Sequence, residues 1–341
     1  MTTKKSIYRA LLPFLLLPVA ATLPAGCAAD AAGSAEQEGE PVVFALALNP
    51  SATRAEVANR TIDNTWPADK TVTISNGTAS HTFTTGDAPS TVSTTATALT
   101  ATGDNFIWPI NNPHWEFEAW YPSGDAPATT LTVATNQSAV ADDVFQGYDQ
   151  LYCPSTPVTY RQRPVTLTML HQAAHVVVIV NSYYTEDHGE VTAVDFGTNH
   201  TGLTGTVDTR GTTPNTNGET TWTVPTQTST INMRPFAAQT DATNHTYAFE
   251  CIIPPQAFAA NINNFIKIYS HGTTKGDRTF NYKVNAAVNM LSGYEYTYNM
   301  LISEAGMLTL ATVQVDDWTT GDPVSGTLTI PQNNYPASNI E

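Results

Sequence analysis

One pattern governs what this chain can fold into. Short apolar runs with a period of two recur from Val42 to Ile330, separated by Gly, Asn, Asp and Pro. Period two is the spacing of a strand with one buried face. VVFALAL sets Val42, Phe44, Leu46 and Leu48 on one face and Val43, Ala45 and Ala47 on the other. HWEFEAWY sets Trp115, Phe117, Ala119 and Tyr121 against Glu116 and Glu118. TVTISNGTASHTFT reads as two strands joined at Asn76-Gly77, a pair that favours a hairpin turn. TLTVA (130–134) follows, and a second series begins after Pro164: 165–170, 174–182, 190–196, 221–224, 246–253, 265–270, 279–285, 293–302, 307–315 and 325–330. No segment holds a helical apolar period over three turns.

The chain is therefore all-β, and many short strands with Gly/Pro-rich turns argue for β-sandwiches. Only 13% of residues are charged while 41% are hydrophobic, so Thr, Asn and Ser carry the polarity, which suits strands with a wet face. A length of 341 residues allows one large or two medium domains. The boundary is expected in CPSTPVTYRQRP (153–164), Pro-rich and without an apolar pattern, giving domains at 42–160 and 161–341. No repeat of about 20–50 residues is visible.

The N-terminus reads as an export signal. Lys4, Lys5 and Arg9 precede ALLPFLLLPVAAT, an apolar stretch too short to span a bilayer. LPAGC then ends at Cys27 and resembles a bacterial lipobox, whose Cys is lipidated and becomes the first residue; Pro24 departs from that pattern. Acyl chains there would anchor the protein, each buried CH₂ contributing roughly 0.8 kcal/mol. The alternative is a plain secretory signal cut near Ala25 to Ala28. Residues 1–26 are thus the signal, and 27–41, small and acidic, a flexible tether. The net charge of −16, with no Lys/Arg cluster after residue 10, excludes nucleic acid and anionic membrane surfaces as partners. Cys153 and Cys251 leave two alternatives, a disulfide formed in an oxidising compartment or two separate buried thiols; the thiols are preferred.

Motifs for chemistry are sparse. HQAAH (His171 to His175) has the spacing of a zinc helix. But Gln172 stands where a metalloprotease needs its Glu, and the motif runs into VVVIV, a strand, in which positions i and i+4 lie about 13 Å apart. It reads as polar residues at a strand junction. Asp142/Asp143 and Asp316/Asp317 are paired carboxylates without an identifiable partner. Trp115 and Trp120 could stack on sugars, but their place in a patterned strand favours core packing. No G-x-S-x-G, P-loop or C-x-x-C motif is present, so no catalytic residue, cofactor or metal is expected. NPSATRAEV, after the first strand, has no apolar run and opens on a turn signal. Arg54 followed by Ala55 in such a loop is accessible to a trypsin-like protease, or is an ordinary loop arginine.

Taken in order, several segments resemble the fimbrillin family, the subunits of type V pili. They are the lipobox Cys, an apolar strand, TRAEV, TWPADKTVTIS, NFIWPINNPHWEFEAWYP, VTLTMLHQAAHVVVIV and GYEYTYNMLISEAGMLTLATVQVDDW. The resemblance spans about residues 27 to 321 and implies two transthyretin-like β-sandwich domains in tandem. It implies export as a lipoprotein to the cell outer membrane and a place in the fimbrium. It also implies cleavage by an arginine-specific, trypsin-like protease after Arg54, with Arg60 a poorer match. Loss of the strand carrying Val42, Phe44, Leu46 and Leu48 would then open a groove for a neighbouring subunit's strand. The best donor in this chain is 324–330, with Val324, Gly326, Leu328 and Ile330 on one face. Expected partners are other pilus subunits, the protease, the outer membrane through its lipid anchor, and a host or bacterial surface ligand. A non-polymerising tip or anchor subunit and a carbohydrate-binding surface lipoprotein are the alternatives.

Overall fold

The computed structural model describes residues 39–48, 68–86, 96–109, 114–183, 190–210, 220–272, 276–304, 306–317, 335–336 and 338–339. Cys27, Arg54, Ala55, Arg60 and the donor positions Val324, Gly326, Leu328 and Ile330 lie outside the described residues.

Seven strands form the first ring: β1 (Phe44–Leu48), β2 (Thr71–Ser75), β3 (Ser80–Thr85), β4 (Thr97–Ala101), β5 (His114–Tyr121), β6 (Leu151–Thr159) and β7 (Val165–His171). Their ladder runs β1-β4-β3-β2-β5-β6-β7 and closes on itself, because β1 pairs with both β4 and β7. The hairpin at Asn76-Gly77 forms with Ser75 opposite Ser80. Asn76 Oδ1 accepts from the amides of Thr78 and Ala79, and Gly77 takes φ +79°, which a side chain would resist. Inside the ring lie Val72, Ile74, Phe83, Phe117, Leu167 and Met169, all 0 to 1% exposed.

The segment expected to be a patternless boundary is largely β6. Its alternation is hidden by Pro154 and Pro157, yet Cys153 and Val158 face inward. Phe117 pairs with Thr156 and Ala119 with Cys153, so a bulge falls where Pro154 has no N–H to offer β5. Between β5 and β6 the chain makes a short strand (Thr130–Thr132) and a helix, α1 (Asp142–Tyr148). Asp142 and Asp143 occupy the first turn of α1, where negative charge suits the helix N-terminus. Leu131, Val133 and Phe145 of this stretch pack into the second core, not the first.

That second core lies between two sheets. The strands are β8 (Ala174–Ser182), β9 (Glu190–Thr201), β10 (Thr246–Ile253), β11 (Ile262–His271), β12 (Arg278–Val284), β13 (Tyr294–Ile302) and β14 (Met307–Asp317). One sheet runs 229–232, β9, β11, β12, 338–339; the other runs 234–235, β10, β8, β13, β14, 335–336. Val176, Val178, Phe196, Phe265, Ile268 and Tyr298 fill the space between them, each fully buried. The chain leaves the ring for the last time at His171 and enters the second sheet at Ala174, so β7 passes to β8 through Gln172-Ala173. Gly39–Glu341 form one compact unit. No helix among the described residues is long and apolar enough to cross a membrane.

Candidate functional site

The site is the first strand and what grips it. β1 pairs antiparallel with β4 (Ala45 opposite Ala98, Leu46 opposite Thr97) and parallel with β7 over its full length, Phe44 opposite Val165 to Leu48 opposite Met169. It is therefore an interior strand placed at the start of the described chain. Val42, Phe44 and Leu46 are each 1% exposed. Leu48 is placed by its backbone. Phe44 is caged by Phe83, Phe106 and Phe117, whose ring centroids lie 5.1, 5.9 and 4.9 Å away, all edge-to-face. Burial of each inward side chain contributes roughly 1.5–3 kcal/mol, and each aromatic pair about 0.5–1.5 kcal/mol more. The opposite face differs from simple alternation: Val43 is exposed, but Ala45 and Ala47 are buried as well.

The grip extends before β1. The Val42 amide donates to Phe106 O, and the Trp108 amide to Glu40 O, both at 2.9 Å, so 39–42 runs alongside 105–108. Asn105 Nδ2 donates to Val42 O, and the Arg163 guanidinium reaches Pro41 O and pairs with Glu40 at 2.8 Å. Gly39 approaches closely: a Cβ there would lie 2.4 Å from Ile107 Cγ2 and 2.5 Å from Trp108 O. None of Gly39, Glu40, Asn105 or Arg163 is marked by the sequence pattern, because the contact joins positions more than 60 residues apart.

The other candidates are structural. Trp115 stacks on Trp108 at 5.7 Å, and Trp120 is 3% exposed with its indole N–H donating to Gly124 O. Trp120 is thus packed in the core, and Trp115 is half-buried against an aromatic cluster. Asp316 and Asp317 end β14. Cys153 and Cys251 are free thiols, one in each core, so the disulfide alternative is not realised. Burial pushes the Cys153 thiol up to about 11 and Cys251 well above its ordinary value. Among the described residues no group of three or more His, Cys, Asp and Glu could hold a metal ion.

HQAAH is indeed a strand junction, with His171 ending β7 and His175 second in β8. All its polar side chains are buried and bonded. His171 Nδ1 lies 2.6 Å from Asp149 Oδ1. Gln172 donates to Leu170 O and accepts from Thr220 and Arg210. His175 stands between Glu250 and Glu295.

Two solved structures share this architecture. A candidate cell adhesion protein from Bacteroides uniformis matches with TM-score 0.54 and 20% identity, over 82% of this chain and 98% of that one. A candidate cell adhesion protein from Bacteroides ovatus matches with TM-score 0.55 and 16% identity, over 83% and 99%. No curated protein matches in sequence. The fimbrillin-like family model matches residues 53–318, most of the chain and both cores, and the protein belongs to the fimbrillin-like family.

Proposed function

We propose that this protein is a structural subunit of a cell-surface pilus supporting adhesion. It is exported as a lipoprotein acylated at Cys27 and displayed on the outer membrane. It polymerises after an arginine-specific protease cuts at Arg54–Ala55. Family membership supports the pilus and adhesion role, and the names of the similar structures agree with it. The observation that carries the mechanism is the position of β1. It is a first strand, yet it is paired on both sides and its side chains fill the ring.

Removing such a strand opens β4 and β7 together and exposes a row of unpaired backbone groups above three apolar pockets. An edge of that kind aggregates unless it is filled. A neighbour's strand supplies both the ladder and the side chains, which is β-strand addition. The contact is head-to-tail and does not close, so it extends into a fibre.

The Phe44 cage also restricts the donor's register. Aligning Val324 with Val42 would put Gly326 in the Phe44 pocket and leave it empty. Moving the donor by two residues seats Leu328 in the Phe44 pocket, Ile330 in the Leu46 pocket and Gly326 at Val42. We favour that register because it seats the two largest donor side chains in the two deepest pockets, those of Phe44 and Leu46.

N-terminal sequencing of surface filaments tests the proposal. The expected mature start is Ala55, and the Arg54→Ala chain should stay unpolymerised. Filaments that begin at Cys27 would overturn the polymerising reading in favour of a tip or anchor subunit that keeps its first strand.

A further inference from the structure

His175 carries a contact pattern that a neutral imidazole cannot satisfy between two ionised carboxylates. Its Nε2 lies 3.1 Å from Glu250 Oε2, and its Nδ1 lies 3.2 Å from Glu295 Oε2. All three side chains are between 2 and 5% exposed. A neutral imidazole has one N–H and one lone pair, and an ionised carboxylate only accepts. With two carboxylates on opposite sides of the ring, one nitrogen would face an oxygen lone pair to lone pair in a buried place. The two contacts are both hydrogen bonds only when the three groups hold one more proton than a neutral imidazole and two carboxylates. An imidazolium donating from both nitrogens makes each contact a charge-assisted hydrogen bond.

We infer that His175 is a buried proton-binding site: an imidazolium bridging Glu250 and Glu295 that rivets the three adjacent strands β10, β8 and β13 in the protonated state. The rivet lies in the second residue of β8, where the chain has just crossed from the first core. Glu295 is opposite His175 in the ladder, and Glu250 is two residues from its partner Ile252. Thr297 Oγ1 donates to the other Glu295 oxygen at 3.0 Å, which fixes the carboxylate.

Further charged and titratable groups stand on the elements packed against the site. Arg234, opposite Glu250 in register, is engaged with Asp142 and lies over the Phe145 ring. Asp316 of β14 is opposite Glu295 in register. His171, four residues before His175, pairs with Asp149. Cys251 carries a thiol raised by burial first and then by the charge of Glu250. The same geometry rules out a shared metal ion, because the two carboxylates approach different nitrogens and do not converge on one point.

The bound proton couples folding to pH. Above about pH 7.5 the unfolded His175 is neutral, so folding takes up one proton and the unfolding equilibrium constant rises about tenfold per pH unit from this site alone. The site's stabilisation is complete below the unfolded value of about 6.5 and is lost as pH rises and the folded cluster releases its proton.

Glu295→Gln isolates the effect. Its amide oxygen still accepts from Thr297 and its N–H donates to Nδ1 of a neutral ring, whose Nε2–H donates to Glu250. Every bond is kept with one proton fewer. Urea unfolding of the full chain and of Glu295→Gln between pH 7.5 and 9 should give slopes that differ by one proton, about tenfold per pH unit. Contributions of groups other than the substituted site are common to both chains and cancel. Parallel slopes would overturn the inference. Should the variant not fold, long-range nitrogen–proton spectra of the unsubstituted protein at pH 8 decide it. Two protonated ring nitrogens on His175 are expected, and a single unprotonated one refutes the bridge.

Discussion

Single residues decide how tightly the first strand is held. Phe44, caged by three rings, is the main anchor, and Phe44→Ala should cost about 3–5 kcal/mol in urea unfolding of the chain that keeps β1. Gly39→Ala should cost about 1–3 kcal/mol by overpacking, since both atoms it would strike belong to the Ile107-Trp108 stretch that holds 39–42. Arg163→Ala should do little, about 0–1 kcal/mol, because both partners of its ion pair with Glu40 are well exposed. The same chemistry predicts where thiols fail. Cys153 is raised to about 11, so its part of the stability is intact below about pH 8, where an unfolded thiol begins to ionise, and is lost as pH climbs to about 11. Urea titrations of Glu295→Gln extended above pH 9, where the His175 contribution is removed, would show that loss. The hydrophobic partners of β1 could be read from alternation, whereas Gly39, Asn105 and Arg163 could not, since their roles depend on contacts distant in sequence.

At the level of elements, β1 closes the ring and is also the one piece that a cut after it could release. A chain beginning at Ala55 should expose β4 and β7, associate or aggregate when purified, and recover as a stable monomer when a peptide of residues 39–48 is added. A peptide of residues 324–330 should do the same, and Leu328→Ala in it should weaken binding at least tenfold while Gly326→Val does not. Fluorescence anisotropy with Gly326→Phe separates the registers: a Phe at the smaller Val42 position should weaken binding, whereas a Phe entering the Phe44 pocket would tighten it. β6 shows the limit of pattern reading. Two prolines and a bulge concealed a strand, because the sheet accommodates Pro154 by letting two residues oppose one.

Across the whole molecule, two hydrophobic cores are joined by the stretch between β5 and β6, which packs into the second core, and by Gln172-Ala173, with buried polar groups on either side of the latter. Loss of β1 should therefore be felt unevenly. Hydrogen exchange on the chain beginning at Ala55 should show β4 and β7 amides losing protection while those of β8 and β13 keep theirs, and uniform loss would mean that the cores unfold together.

The sequence alone determined the all-β class, most strand positions of the second series, and the alternation that buries Val42, Phe44 and Leu46. These are local properties: side chains two residues apart share a face whatever the strand pairs with. Tertiary structure decided the rest. Only pairing partners far along the chain make β1 an interior strand, send the stretch between β5 and β6 into the second core, and set two carboxylates, from β10 and β13, against one histidine. Strand order and the environment of a buried charge arise from contacts between distant segments, and a period of two carries no record of them.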